Sequence, residues 1–235
     1  MGRRGPKVAG ICAIHIQRTP FINAGALDTR FTVRAAGRVG GPAMLMTSRD
    51  GGGTWTTEDL SARAAMILDV LFTSERVGFI CGATDTEVEQ SRALILKTSD
   101  GGRTWREVYR GARGWELTWK ASFPTPRVGF TTVQNYNPDK AVSRRVVAKT
   151  TDGGDTWREL PVIDDHAWRA FGVGFVDERR GWIGGTTTGM ETRDGGRTWT
   201  PVAMGRAVNK IRIVRSGRNA AAYAIGTELH RLALA

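Results

Sequence analysis

Four copies of the hexapeptide D-G-G-x-T-W, at Asp50–Trp55, Asp100–Trp105, Asp152–Trp157 and Asp194–Trp199, constrain this chain more than any other feature. Their aspartates are spaced by 50, 52 and 42 residues, and a repeat at that period means that one supersecondary unit is stacked several times. Four of the eight tryptophans thereby belong to the repeat itself.

Each copy has the same setting. An apolar run precedes it (Ala43–Met46, Leu94–Leu96, Val146–Ala148 and a weaker Thr188–Met190). A hydroxyl residue stands two positions before the aspartate (Ser48, Thr98, Thr150, Thr192), and a polar segment follows the tryptophan. The pattern predicts strand, tight turn, strand. Asp-Gly and Gly-Gly supply the positive φ angles of such a turn. The carboxylate can accept from the turn's own N–H groups, and the tryptophan covers the hairpin with apolar area.

The copies TSRDGGGTW, KTSDGGRTW, KTTDGGDTW and ETRDGGRTW resemble the Asp box, or BNR repeat, S/T-x-D-x-G-x-T-W, of sialidases, sortilin-like receptors and the photosystem II assembly factor family. That resemblance implies a β-propeller in which each box joins the third and fourth strands of a blade, on the face away from the binding site. It makes Asp50, Trp55, Asp100, Trp105, Asp152, Trp157, Asp194 and Trp199 structural. A calcium loop of the EF-hand kind needs further oxygen ligands at fixed offsets and a terminal glutamate, which no box has.

Between the boxes a second pattern recurs. The second unit reads Met66–Phe72, a turn at Thr73–Arg76, then Val77–Ala83; the third reads Trp119–Phe123, Pro124–Arg127, Val128–Val133; the fourth reads Ala170–Val176, Asp177–Arg180, Gly181–Gly185. These are the short strands and Gly/Pro turns of an all-β repeat. The first unit is less regular, with strands expected at Gly10–Gln17 and Phe21–Leu27. After the last box, Asn209–Val214, Ala220–Gly226 and Glu228–Leu232 predict three strands without a box. A single domain of blades at about 7–60, 65–110, 115–162, 168–205 and 207–235 follows. Lys7–Gly10 would supply the missing outer strand of the fifth blade, because a propeller closes its ring to avoid open strand edges. A truncated ring of six or seven blades is the alternative.

At 235 residues the chain can bury a sizeable core. It carries 34 Lys+Arg against 23 Asp+Glu, a net charge of +11, yet the arginines are scattered and no run of five basic residues occurs. This argues against nucleic acid, whose binders concentrate charge in a patch, and favours an acidic partner or anionic surface. Cys12 and Cys81 sit in apolar, glycine-flanked settings and read as buried thiols, a disulfide being open to them only where their strands approach closely. No apolar stretch approaches the ~20 residues of a membrane helix. The basic start and short apolar stretch of the N-terminus make a poor signal peptide, whereas the family resemblance suggests an exported or periplasmic setting.

If the boxes mark one face, the two–three and four–one connections gather on the other, where binding residues are expected. The former are Asp28–Pro42, Thr84–Arg92, Asn135–Arg145 and Thr186–Gly189; the latter are Ser61–Ala64, Gly111–Thr118, Ile163–Ala167 and Gly205–Val208. Candidate binding residues are Arg113, Trp115 and Glu116 in GARGWELTWK, Asn135, Tyr136 and Asp139 in QNYNPDK, and Asp164, Asp165 and His166 in an acidic loop. Glu87 and Glu89 form a second acidic loop, and Trp119 is expected in the core. Asn-Pro-Asp is also ordinary turn chemistry, and the two aspartates read equally as turn caps. The histidines and carboxylates lack the clustering of a metal site, so no metal or cofactor is expected.

Two functions compete. The D-G-G-x-T-W boxes, the strands GFICG and GWIGG and the phrase GRAVNKIRIV resemble the photosystem II assembly factor type of propeller over most of residues 43–232. That implies a non-catalytic, monomeric scaffold for a protein or peptide partner. The alternative is a sialidase-like glycoside hydrolase or a carbohydrate-binding propeller. A sialidase would converge three arginines on Tyr136 and a carboxylate, and a two-carboxylate glycosidase would pair Glu116 with Asp164 or Asp165. The Arg-Ile-Pro motif of sialidases is missing here.

Overall fold

In the computed structural model, residues 13–23, 26–37, 42–216 and 219–234 are described, and every regular element among them is a β-strand. The strands form five antiparallel sheets in strict chain order, the blades of a β-propeller. Blade one contains β1 (Ala13–Asn23), β2 (Ala26–Gly37), β3 (Met44–Ser48) and β4 (Thr56–Asp59). Blade two contains β5 (Met66–Phe72), β6 (Gly78–Ala83), β7 (Ala93–Thr98) and β8 (Arg106–Arg110). Blade three contains β9 (Glu116–Ser122), β10 (Gly129–Asn135), β11 (Arg144–Thr150) and β12 (Arg158–Asp164). Blade four contains β13 (Ala170–Phe175), β14 (Gly181–Gly185), β15 (Gly189–Thr192) and β16 (Thr200–Val202). Blade five contains β17 (Lys210–Ser216), β18 (Asn219–Ile225) and β19 (Leu229–Leu234).

The apolar runs fall where blades are covered on both faces. Every residue of β6, β7, β10 and β14 is buried, whereas the outer strands β4, β8 and β16 contain no buried residue. A continuous apolar run therefore marks a middle strand between two neighbouring blades, and polar alternation marks the rim.

Each box folds as its residues dictate. In the second, Asp100 Oδ1 accepts from Thr98 Oγ1 (2.8 Å) and from the N–H groups of Arg103 and Thr104 (2.9 Å each), and Oδ2 accepts from Thr104 Oγ1 (2.6 Å). Gly101 and Gly102 take φ of 81° and 90°, which only glycine adopts cheaply. Asp50, Asp152 and Asp194 repeat the arrangement.

Aromatic rings join one blade to the next. Phe79 of β6 stacks on Phe123, beside β9, at 4.4 Å, and Phe123 meets Trp157 edge-on. Phe130 of β10 stacks on Phe175 of β13 at 3.6 Å, and Phe175 meets Trp199 edge-on. In blade one Arg34 takes the equivalent place, its guanidinium 3.5 Å from the centre of the Phe72 ring, which meets Trp105 edge-on. Three of the box tryptophans, Trp105, Trp157 and Trp199, thus pack on the rings that seal the blade joints. The glycine of the V-G-F strands has the same cause: a Cβ on Gly129 would lie 2.4 Å from the Phe123 ring.

Lysines add a second seam. Lys97 of β7 donates to Asp155 in the next box (2.8 Å), and Lys149 of β11 donates to the carbonyl of Gly195 (2.8 Å). Blade four, whose neighbour has no box, carries Glu191 at this position, paired with Arg180 at 3.0 Å.

Blade one departs from expectation. Its second strand is β2, not Phe21–Leu27, and most of the expected loop Asp28–Pro42 is strand. The registers Val33↔Ser48 and Gly78↔Thr98 show why: Arg34 occupies the place of Phe79, so FTVRAAG is the blade's middle strand although it lacks the aromatic of the other copies. Fifth-blade closure by Lys7–Gly10 and the state of Cys12 lie outside the described residues. Cys81 is a buried thiol, pushed up to about 12 by burial and the nearby Asp69, with Sγ 3.4 Å from Thr131 Oγ1.

Candidate functional site

The box face is occupied by its own bonds. Gly101, Gly153 and Gly195 each donate from the main chain to the turn between the first two strands of their blade, at the carbonyls of Arg76, Arg127 and Arg179 (2.8 Å each). The two–three and four–one connections emerge on the opposite face.

On that face blade three brings six of the predicted residues together. Trp115 takes φ +64°, an unfavourable conformation for a bulky residue, and its carbonyl accepts from the N–H of Tyr136 (2.8 Å). Glu116, 2% exposed at the start of β9, accepts on Oε1 from Arg113 Nε (2.7 Å) and Asn135 Nδ2 (2.9 Å). Arg113 also grips both oxygens of Glu159 (3.0 and 2.9 Å), and Tyr109 donates to the same carboxylate (2.7 Å). His166 Nε2 sits 2.9 Å from the carbonyl of Asn137 and ties the four–one loop to the two–three loop.

The electrostatics follow from burial. Desolvation raises the Glu116 carboxyl above its ordinary range despite the opposing pull of Arg113. Burial, then the bond to Glu159, pushes the Tyr109 hydroxyl up. Arg113 is desolvated, but its bonds to Glu116 and Glu159 outweigh that and hold it more firmly charged.

The other predicted residues are exposed, and several of them serve turns. Asn137 Oδ1 accepts from the N–H of Asp139, and Asp139 Oδ1 from that of Ala141 (2.9 Å each), so Asn-Pro-Asp is a pair of side-chain-capped turns. Asp165 caps the N–H of Ala167 (2.8 Å), and Asp164 ends β12 opposite Arg144. Glu87 and Glu89 are exposed on the two–three loop of blade two, where Asp85 caps the N–H of Glu87 (2.9 Å). Among the described residues no three His, Cys, Asp or Glu gather as a metal site would require.

Several residues of this face were not singled out in the sequence. Arg145, 1% exposed, donates to the carbonyls of Trp168 (3.0 Å), Val142 (2.8 Å) and His166, and so pins the four–one loop. Its only signal was an arginine beginning an apolar run. Arg169 lies 4.8 Å over the Tyr136 ring, and Tyr136 donates to Gln134 Oε1 (2.7 Å). Gln134 Nε2 and Arg169 Nε are buried without a partner.

The propeller axis is lined by different residues. Trp119, expected in the core, is half-buried: its ring meets Phe171 edge-on and its indole N–H donates to Asn209 of blade five (2.5 Å). Below it Lys120 donates to the carbonyl of Leu68 (2.6 Å) and stands 3.7 Å from Asp69. A cavity of about 460 Å³ opens here, lined by Lys120 of blade three and by Asn209, Lys210, Ile225 and Thr227 around the start of blade five.

No protein-family model and no curated protein matches the chain. Among solved structures it is similar to the GH74 xyloglucanase from Xanthomonas campestris, with 16% identity and a TM-score of 0.61 over 84% of this chain and 34% of that one. It is also similar to the α-L-arabinanase from Penicillium chrysogenum complexed with arabinobiose, with 12% identity and a TM-score of 0.59 over 93% of this chain and 77% of that one. The chain spans about a third of the length of the xyloglucanase it matches. YCF48 bound to D1 peptide matches at 14% identity over 86% of this chain and 73% of that one, with a TM-score of 0.39, too low to carry an argument. The likeness to the first two is one of fold, and a fold shared by hydrolases and other proteins does not choose an activity.

Proposed function

We propose that this chain is a non-catalytic binding propeller of the Asp-box type that presents its loop face to a protein or peptide partner. One observation carries the reading. The acid that a glycosidase would need, Glu116, is bound internally, and its expected partners Asp164 and Asp165 stand exposed at the end of β12 and in a capped turn, whereas the rings and amides of the same loops are locked in place and partly open. Glu116 is buried under Arg113 and Asn135, and Glu159 is held by Arg113 and Tyr109. One guanidinium, that of Arg169, lies over Tyr136; Arg113 is turned to its carboxylates and Arg145 to main-chain carbonyls. Hydrolysis of a glycoside requires an acid and a partner carboxylate on either side of the bond. Binding requires only a preorganised surface, and the bonds Tyr136 N–H to Trp115 and His166 to Asn137 preorganise this one.

The test pairs an enzymatic and a binding measurement. Fluorogenic sialosides, arabinan and xyloglucan oligosaccharides should show no turnover. Capture of an interacting protein or peptide should weaken about tenfold in Tyr136→Ala, since partly exposed aromatics anchor interfaces. Turnover that Glu116→Gln abolishes would overturn the proposal in favour of a hydrolase.

A further inference from the structure

The basic groups at the propeller axis form a second feature of the loop face, separate from the blade-three cluster. Lys120 comes from blade three, Lys210 and Arg212 from blade five, and Asp69 from blade two. Residues of non-neighbouring blades meet only at the axis. Asp69 lies within the field of all three cations and bonds Lys120 and the N–H of Ala121 (3.0 Å). It is one carboxylate against three positive groups. Lys210 and Arg212 make no hydrogen bond or ion pair among the described residues, although both are exposed. Above them stand Trp119 and Asn209, bonded to each other, with Phe171 edge-on.

Such a cluster has a physical consequence. Like charges held together in a recess repel, and a lining that is partly desolvated strengthens the repulsion. Burial and then the charges of Arg212 and Lys120 lower Lys210 from its ordinary value. A bound anion would relieve that repulsion. The cavity of about 460 Å³ admits a carboxylate with a short stretch of chain. Ala207 and Ile225 offer apolar lining for the stem of the group, and Asn209 and Thr227 offer polar atoms.

We propose that the axial cavity is a carboxylate pocket that takes an acidic side chain of a peptide partner between Lys120 and Lys210, with the charge of Arg212, two residues along the same strand, close by. The net charge of +11 favours the approach of such a partner, and the pocket fixes where its charge is seated. This rests on reading the loop face as a binding surface, and it adds a chemical class and an anchoring point to that reading.

The test uses the full chain and a fluorescent Glu-rich decapeptide, with the Gln-for-Glu peptide, an oligogalacturonate and inorganic phosphate as competitors or controls. The Glu peptide should bind and the Gln peptide should not. Lys210→Ala and Arg212→Ala should each weaken binding about tenfold and flatten its salt dependence, with unchanged thermal unfolding because both side chains are exposed. Arg103→Ala, which removes an equally exposed cation from the box face, should leave this peptide's affinity within about twofold. Equal binding of the Gln peptide, or unchanged affinity in both axial variants, overturns the pocket. Preferential binding of oligogalacturonate or phosphate overturns the peptide as occupant. A pocket that fails while Tyr136→Ala still weakens partner capture leaves the binding-propeller reading intact, whereas glycoside turnover removes that reading itself.

Discussion

Replacing Arg113 by alanine tests whether the blade-three cluster is held together by charge. Arg113 makes two kinds of contact. Its pair with Glu159 joins side chains that are 43% and 27% exposed, and such screened pairs contribute about 0.5 kcal/mol. Its pair with Glu116 reaches a carboxylate that is 2% exposed and whose Oε2 has no partner at all. Breaking a buried pair by removing one member costs about 3–5 kcal/mol when the survivor stays charged. Arg113 is itself nearly half open to solvent, and Glu116 retains Asn135 and can take up a proton, so the expected total is about 2 kcal/mol near neutral pH.

The proton gives the test its sign. The folded-state pKa of Glu116 is raised above its unfolded value, so its contribution is fully present below the unfolded value and is lost as pH rises through the folded one. Without Arg113 the folded value rises further. The deficit of Arg113→Ala should therefore shrink as the medium is acidified from neutrality toward the ordinary glutamate range. Urea unfolding of the wild type, Arg113→Ala, Glu116→Gln and the double variant at several pH values measures this. The double variant should recover at least about 1 kcal/mol of the summed single losses, since it leaves no unpaired charge. A deficit below about 0.5 kcal/mol, or one independent of pH, would refute the reasoning and show Arg113 to be a surface residue after all.

Two other perturbations follow from the repeats. Phe130 is fully buried and stacked on Phe175, so Phe130→Ala should cost about 3–5 kcal/mol in chemical unfolding, and a loss below about 1 kcal/mol would show that the joint between blades three and four does not depend on the ring. The Asp194 carboxyl, partly desolvated, is nonetheless held down to about 2 by its bonds to Thr198 and Thr192, so it stabilises above the ordinary aspartate range and loses that contribution as pH falls through about 2. Asp194→Asn should accordingly be less stable than the wild type at neutral pH and converge with it in strong acid; a constant difference by circular dichroism across that range would contradict the linkage.

Much of the fold was legible because the repeat states its chemistry in full. The box names its own turn, with a carboxylate two residues after a hydroxyl and four before a threonine, and the structure realises each of those bonds. The middle strands were equally legible in blades two to four, where a glycine before Phe79 and Phe130, or the pair Gly181–Trp182, marks a chain covered on both faces. Blade one concealed the same strand, because a cation replaced the aromatic and a hydrophobic pattern does not register Arg34.

The loop face divides in the same way. Arg113, Trp115, Glu116, Asn135, Tyr136 and His166 could be picked out as a cluster because they crowd two short, polar, aromatic loops. Whether they point outward could not, since an arginine reads the same whether it meets a ligand or a glutamate 46 positions away. The axial residues were invisible for a sharper reason. Asp69 and Lys120 each sit singly on an inner strand and Lys210 and Arg212 alternate on a third, separated by up to 143 positions, and no local pattern joins the three strands. The sequence by itself determined the repeat, its hairpins and the face they close, since these depend on contacts within a few residues. Only the tertiary structure decided which charges are spent within the molecule and which are left facing the axis, because long-range partners set burial and pairing, and burial and pairing set what a charge can bind.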